Sequence, residues 1–229
     1  MFMALSDNQY IAIIADIKDS KKLENRNEVQ KKLNEVLEEI NNVFYKDIYS
    51  KFIITLGDEF QGLLFNGKNI MKIISKIERE MYPVKLRFGI GIGGMATEIN
   101  MEMSIGADGP AYYMARDAIN YLKAVERRKQ TNPVDIRIEI DGNYNKELAL
   151  MLNTIFSLLT VIKEEWSDRQ REVIWDMLEH QDNQTDVAKR LNIKQPTVQK
   201  SLSKGKYYAY KEALDTIEKV LGEVRREND

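Results

Sequence analysis

The chain has 229 residues, 43% of them hydrophobic, enough to fill one large globular domain or two modest ones. It has no cysteine and a single histidine, His180, which excludes a disulfide framework, a thiolate metal centre and a multi-histidine zinc site. Acidic Asp7 falls close to the start, the formal net charge is −2, and no apolar run approaches the roughly 20 residues that cross a bilayer, so the expectation is a cytoplasmic protein with no membrane partner.

Residues 10–17 (YIAIIADI) form a short β-branched run ending in an acid, which predicts a central strand. A helix is predicted over 25–44, where Val29, Leu33, Val36, Leu37, Ile40, Val43 and Phe44 recur at helical spacing. Residues 51–56 and 60–65 read as the strands of a hairpin closed by Gly57, Asp58 and Glu59. A second amphipathic helix over 69–82 stops at Pro83, and 86–92 is a strand whose Gly89 and Gly91 indicate close approach of another backbone or of a ligand. A loop with Gly106, Asp108, Gly109 and Pro110 leads into a helix over 111–127, and 134–140 is a further strand. The order βαββαβαβ predicts an α+β fold: a ferredoxin-like, cyclase-like palm sheet, antiparallel in part, with its helices on one face. Asp141, Gly142 and Asn143 suggest a turn and a boundary, dividing the chain into a palm domain, 1–142, and an all-helical domain, 143–229.

After a mostly apolar helix over 148–162, Ser167 and Gln170 form a capping box that opens a helix at Asp168. The segment 183–202 (NQTDVAKRLNIKQPTVQKSL) then has the features of a helix-turn-helix. Asn183 caps a short helix with Val187, Ala188 and Leu191 inward, Asn192 and Ile193 make the turn, and Pro196 sits in the first turn of the next helix. With Val198 and Leu202 facing inward, Gln195, Thr197, Gln199, Lys200, Ser203 and Lys204 are left outward, flanked by Thr185 and Lys194. These are groups that reach base edges and phosphates, so all eight are candidate contacts to double-stranded DNA. Seven basic residues and no acid lie between Val187 and Lys211, as counterion release at phosphates requires, although a charge run is otherwise a solvated face. The tail from Lys211 to Val224 carries Ala213, Ile217, Val220, Leu221 and Val224 near helical spacing, a candidate homodimer seam.

In the first half, Asp16 ends a strand and Asp58 lies at a hairpin tip. If the strands are neighbours, both carboxylates meet at one edge, where hard oxygen ligands suit Mg2+ or Mn2+ carrying a phosphate. Lys18, Ser20 and Lys21 follow just before a helix start, a place that attracts phosphate. The alternative is that Asp16 and Asp58 only make local hydrogen bonds at a strand end and a turn, with Glu59 a turn residue and Arg116 a surface one.

The stretches DIKDS, ITLGDEFQGLLF, LRFGIGIGG and GADGPAYYMARDAI resemble class III nucleotidyl cyclases in order and spacing, and GDEF also resembles diguanylate cyclases. The segment 166–178 is similar to the helix that precedes the helix-turn-helix in sigma-factor-like and response-regulator domains. Taken whole, the chain resembles the SatD family. The cyclase resemblance implies metal ligands at Asp16 and Asp58, a backbone carbonyl ligand at Ile17, and a phosphate-stabilising arginine at Arg116. It also implies Mg2+ or Mn2+, with a nucleoside triphosphate, as cofactors. The pattern departs at Ser20, where a phenylalanine is expected, at Phe52 in place of the purine-selecting lysine, and at Tyr112 in place of an asparagine. Groups for metal and phosphate are kept while those that select the base and complete cyclisation are not, so binding should outlast turnover. The expectation is a DNA-binding transcriptional regulator whose cyclase-like domain binds a metal-nucleotide or other phosphorylated ligand. The alternative is an active nucleotidyl cyclase or nucleotidyltransferase tethered to DNA, with Arg116 as its catalytic group.

Overall fold

A computed structural model describes residues 9–128, 134–142 and 146–223. Five strands, β1 (Tyr10–Ile17), β2 (Ile48–Leu56), β3 (Glu59–Leu64), β4 (Leu86–Gly93) and β5 (Ile136–Ile140), make one sheet in the order β2-β3-β1-β4-β5. Among the first four strands each neighbouring pair is antiparallel, with split-βαβ connectivity, while β5 joins β4 in parallel. Every residue of β1 and β4 is buried, which is why β1 reads as a continuous apolar run rather than an alternating one.

The expectation of helices on one face is corrected. Helices α1 (Arg26–Val43) and α2 (Ile70–Met81) pack on the face carrying Ile11, Ile13 and Ala15. Helix α3 (Pro110–Glu126) covers the opposite face, against Ala12 and Ile14. The physical reason lies in β4. A Cβ at Gly89 would stand 2.4 Å from the Ala115 carbonyl oxygen, and one at Gly91 would stand 2.0 Å from that of Ala111. The glycines thus open a groove for the α3 backbone, and the close approach expected of them is a helix and not a ligand.

The remaining helices are α4 (Lys146–Glu164), α5 (Asp168–His180), α6 (Gln184–Arg190), α7 (Gln195–Lys204) and α8 (Tyr207–Leu221). Local chemistry sets their ends as expected. The Ser167–Gln170 capping box is formed, Asn183 accepts from the Thr185 and Asp186 amides, and Asn192 turns the chain with φ 51. Asn153 of α4 brackets the outer edge of β5, donating to the Ile138 carbonyl at 2.9 Å and accepting from its amide at 2.8 Å, so Ile138 does not offer its hydrogen bonds to another strand.

One apolar cluster runs from the sheet through Leu152 and Phe156 of α4 to Val187, Val198, Leu202, Leu214, Ile217 and Leu221. This corrects the candidate dimer seam. Ile217 and Leu221 are buried inside their own chain, and the Leu221 backbone packs so tightly over Gly67 that a Cβ there would stand 2.2 Å from its carbonyl oxygen. A three-helix unit encloses little core by itself, so α8 spends its apolar face on α2 and α4. Val224 lies outside the described residues.

Candidate functional site

The end of β1 and the β2–β3 turn meet, since the Ile17 amide donates to the Asp58 carbonyl at 3.2 Å and Asp16 stands opposite Glu59 in the β1–β3 ladder. Asp16, Ile17, Asp58 and Glu59 are therefore brought to one edge of the sheet. Asp16 and Glu59 face cationic side chains. Arg87, directly across from Asp16 on β4, donates through Nη1 to both carboxylate oxygens at 2.9 and 3.0 Å, and the Lys123 Nζ of α3 lies 2.7 Å from Oδ2. Burial raises the Asp16 pKa above the ordinary aspartate value, and Lys123 and Arg87 only partly counter this while Asp58 adds to it.

Arg87 and Lys123 are absent from the sequence-derived site, though both left signals. An arginine inside a strand otherwise made of apolar residues and glycine needs a buried anion, and Lys123 follows Arg116 by seven residues, which puts it on the same helix face.

Arg116 closes a bidentate pair with Glu59 at 2.5 and 2.7 Å, so this arginine faces the acidic edge with its guanidinium already engaged. Lys18 turns inward, 2.7 Å from Glu126 and 2.7 Å from Asp135. Ser20 and Lys21 lie in a single 3-10 turn, Ser20–Lys22, with Lys21 exposed. Lys18, Ser20 and Lys21 thus do not converge on one pocket.

The ion pairs join into an alternating chain. From Asp16 it passes through Arg87, Glu126 (3.0 Å), Lys18, Asp135 and Lys163 (3.1 Å) to Glu78 (2.5 Å). It thereby links the acidic edge to α4 and α2, and Lys163 and Glu78 are themselves nearly buried.

A hard divalent cation needs several oxygen ligands in a near-octahedral set. At this edge two of the three carboxylates, Asp16 and Glu59, already face cationic partners, and no group of three or more His, Asp or Glu suited to a metal occurs among the described residues. While Lys123 stays where it is, the donor set does not suit Mg2+ or Mn2+. Phe52 and Tyr112, the departures from the cyclase pattern, are buried packing residues, and a Cβ on Gly62 would meet the Phe52 ring.

At the other end, Val198 and Leu202 of α7 are fully buried, whereas Thr185, Lys194, Gln195, Thr197, Gln199, Lys200, Ser203 and Lys204 are exposed. Of the seven basic residues in this stretch, Lys189, Arg190 and Lys211 pair with Asp186, Asp176 and Asp215. Lys194, Lys200, Lys204 and Lys206 have no acidic partner among the described residues. Trp166, in the link between α4 and α5, ties down the C-terminal end of α7 by donating to the Gly205 carbonyl at 2.7 Å. Tyr207 and Tyr210 are packing residues and Tyr208 is exposed. No helix among the described residues is long and apolar enough to cross a membrane.

The family model of the SatD family matches residues 10–217. No curated protein matches the chain. Matching solved structures include a bacterial light-regulated adenylyl cyclase, 19% identical, covering 56% of this chain and 74% of that one with a TM-score of 0.39. They also include the non-canonical dimeric guanylyl cyclase domain of the RhoGC fusion protein from the aquatic fungus Blastocladiella emersonii, at 14% identity, 48% and 74% coverage and a TM-score of 0.34. A third is the guanylyl cyclase Cya2, at 17% identity, 52% and 73% coverage and a TM-score of 0.36.

Proposed function

The chain belongs to the SatD family, and we propose that it is a DNA-binding transcriptional regulator made of a ligand-sensing sheet half, 1–142, and a helix-turn-helix half, 143–229. The observation that carries this reading is α7. It is anchored from behind by Val198 and Leu202, and outward it presents Thr197, Gln199, Lys200 and Lys204, its lysines paired with no carboxylate among the described residues. A surface helix that serves only solubility tends to pair its cations within the helix, as Lys189 and Lys211 do here. Unpaired lysines beside amide and hydroxyl side chains suit phosphates and base edges in a major groove.

In this reading the sheet half takes a phosphorylated, nucleotide-like ligand near the Asp16–Asp58 edge, and a homodimer places two copies of α7 on successive half-sites. The ion-pair chain from Asp16 to Lys163 gives the two halves a shared buried network through which ligand and DNA can be coupled. The alternative, a nucleotidyl cyclase tethered to DNA, is disfavoured because Asp16 is held by Arg87 and Lys123, and Arg116 by Glu59.

The test is fluorescence anisotropy of the whole chain on double-stranded DNA at rising salt. Lys200→Ala should weaken binding and reduce the slope of log affinity against log salt by roughly 0.9, one phosphate contact. An unaltered slope would remove α7 from the interface. Nucleoside triphosphates should raise the melting temperature, since a ligand of the native state stabilises it; no shift at millimolar ligand would sink the sensing role.

A further inference from the structure

We propose that the Lys123 ammonium, backed by the Arg87 guanidinium, is a built-in cation standing at the Asp16 carboxylate in place of a divalent metal ion, so that the acidic edge of this chain takes no Mg2+ or Mn2+.

Two independent parts of the fold deliver the cations. Arg87 is the cross-strand partner of Asp16 in the β1–β4 ladder, so the sheet register itself fixes it beside the carboxylate, and Glu126 holds its Nε at 3.0 Å. Lys123 comes from α3, whose distance from the sheet is set where Gly89 and Gly91 meet Ala115 and Ala111, about two and three turns earlier along the helix. Its Nζ lies 2.7 Å from Asp16 Oδ2, the Asp16 side chain being 6% exposed and that of Lys123 35%.

A divalent ion bonds a carboxylate oxygen at about 2.0–2.1 Å when it is Mg2+. Placed on Oδ2, it would share that oxygen with the ammonium at a separation where like charges repel strongly in a half-buried site. The ion would also find few other oxygens, because Glu59 is engaged by Arg116 in a bidentate pair, and of the three edge carboxylates Asp58 alone has no cationic partner among the described residues. The lysine and arginine deliver the charge compensation a metal would supply, and they do so without its ligand shell.

The consequence concerns the ligand as well. Any phosphorylated molecule the sheet half takes is bound without a bridging metal, and its affinity does not change when Mg2+ is withdrawn. This consequence rests on the sensing role proposed above; the absence of metal binding does not, and is tested without a nucleotide.

The experiment is a Mn2+ titration of the full chain, free Mn2+ being read by electron paramagnetic resonance and the melting temperature followed in parallel. The wild-type protein should leave the free Mn2+ signal unchanged at millimolar metal and show no thermal shift. Lys123→Ala should take up one Mn2+ per chain and gain a Mn2+-dependent rise in melting temperature, and both effects should vanish in the Asp16→Asn/Lys123→Ala double variant. Lys123→Gln, which keeps part of the aliphatic stem without the charge, serves the same purpose if the alanine variant does not fold. Uptake of Mn2+ by the wild-type chain that Asp16→Asn abolishes would overturn the proposal. So would a folded Lys123 variant that binds no metal, because the lysine would then not be what excludes it.

Discussion

At the scale of single residues, the acidic edge shows how a carboxylate can be kept by the fold for a different purpose from the one its motif suggests. Asp16 is 4% exposed and touches two cations, so its removal strands Arg87, itself 9% exposed, with one carboxylate fewer. Asp16→Ala should therefore cost about 3–5 kcal/mol in urea unfolding, the scale for breaking one partner out of a buried pair. A loss below about 1 kcal/mol would mean the pair is solvated. Asp135 contributes to the pH dependence. Burial would raise its pKa, but the Lys163 and Lys18 ammonium groups overcome that and hold it below the ordinary 3.8. A carboxylate depressed in the folded state contributes stability that is complete above its unfolded pKa and is lost as pH falls through the folded one. Stability should thus decline as pH drops below 3.8, and Asp135→Asn should be less stable at neutral pH yet flatter across that acid window, read from urea midpoints at successive pH values. An acid limb as steep in Asp135→Asn as in the wild type would exclude Asp135 as its source.

At the scale of elements, α3 and α8 are the pieces that the fold places where local pattern does not. Both are amphipathic, but amphipathicity says only that a helix has a partner and not which one. For α3 the partner is the far face of the sheet, reached over the glycines of β4. Gly91→Ala should displace α3, because its Cβ would stand 2.0 Å from a carbonyl oxygen that belongs to a helix backbone and cannot swing aside. An expected loss of about 1–3 kcal/mol follows from such overpacking, whereas Gly94→Ala, with nothing within 4 Å, should unfold at nearly the wild-type midpoint. Equal midpoints for the two variants would show that α3 is not seated in that groove. The glycine signal was legible in the sequence as a close approach; its object was not, because two glycines define a gap without naming what fills it.

At the scale of the whole molecule, the apolar cluster passes from the sheet into the helical half without a break, through Phe156, Ile217 and Leu221. Cross-half ion pairs run alongside it, including Lys163 with Glu78 and Arg79 with Glu179, and Tyr82 donates to Asp168 at 2.9 Å. Both tryptophans, Trp166 and Trp175, lie in the helical half, and Trp175 stands edge-on to Tyr82 of the sheet half, so their fluorescence reports the helical half and its junction with the sheet. Because the halves share a core, fluorescence and the exchange protection of sheet amides should report coincident unfolding transitions. Ile217→Ala should lower both together by about 2–5 kcal/mol. Separate transitions, with the sheet untouched by Ile217→Ala, would show instead that the halves fold independently.

From its own order of residues the chain determined its elements and their ends: the β-branched run at 10–17, the Ser167–Gln170 box, the Asn183 cap, Pro196 at the start of α7, and the outward set on that helix. These are decided within a few residues, by dihedral preference and nearest hydrogen bonds, so they can be read locally. The family and the meeting of Asp16 with Asp58 were also legible, the latter because a strand end and a hairpin tip are fixed points of a split-βαβ sheet. Only the tertiary structure decided what stands beside Asp16. Arg87 lies 71 positions away along the chain and reaches it through strand register, and Lys123 arrives on a helix whose side of the sheet the pattern does not specify. Long-range pairing of charges depends on where backbones finally pack, and no short window of residues contains that information.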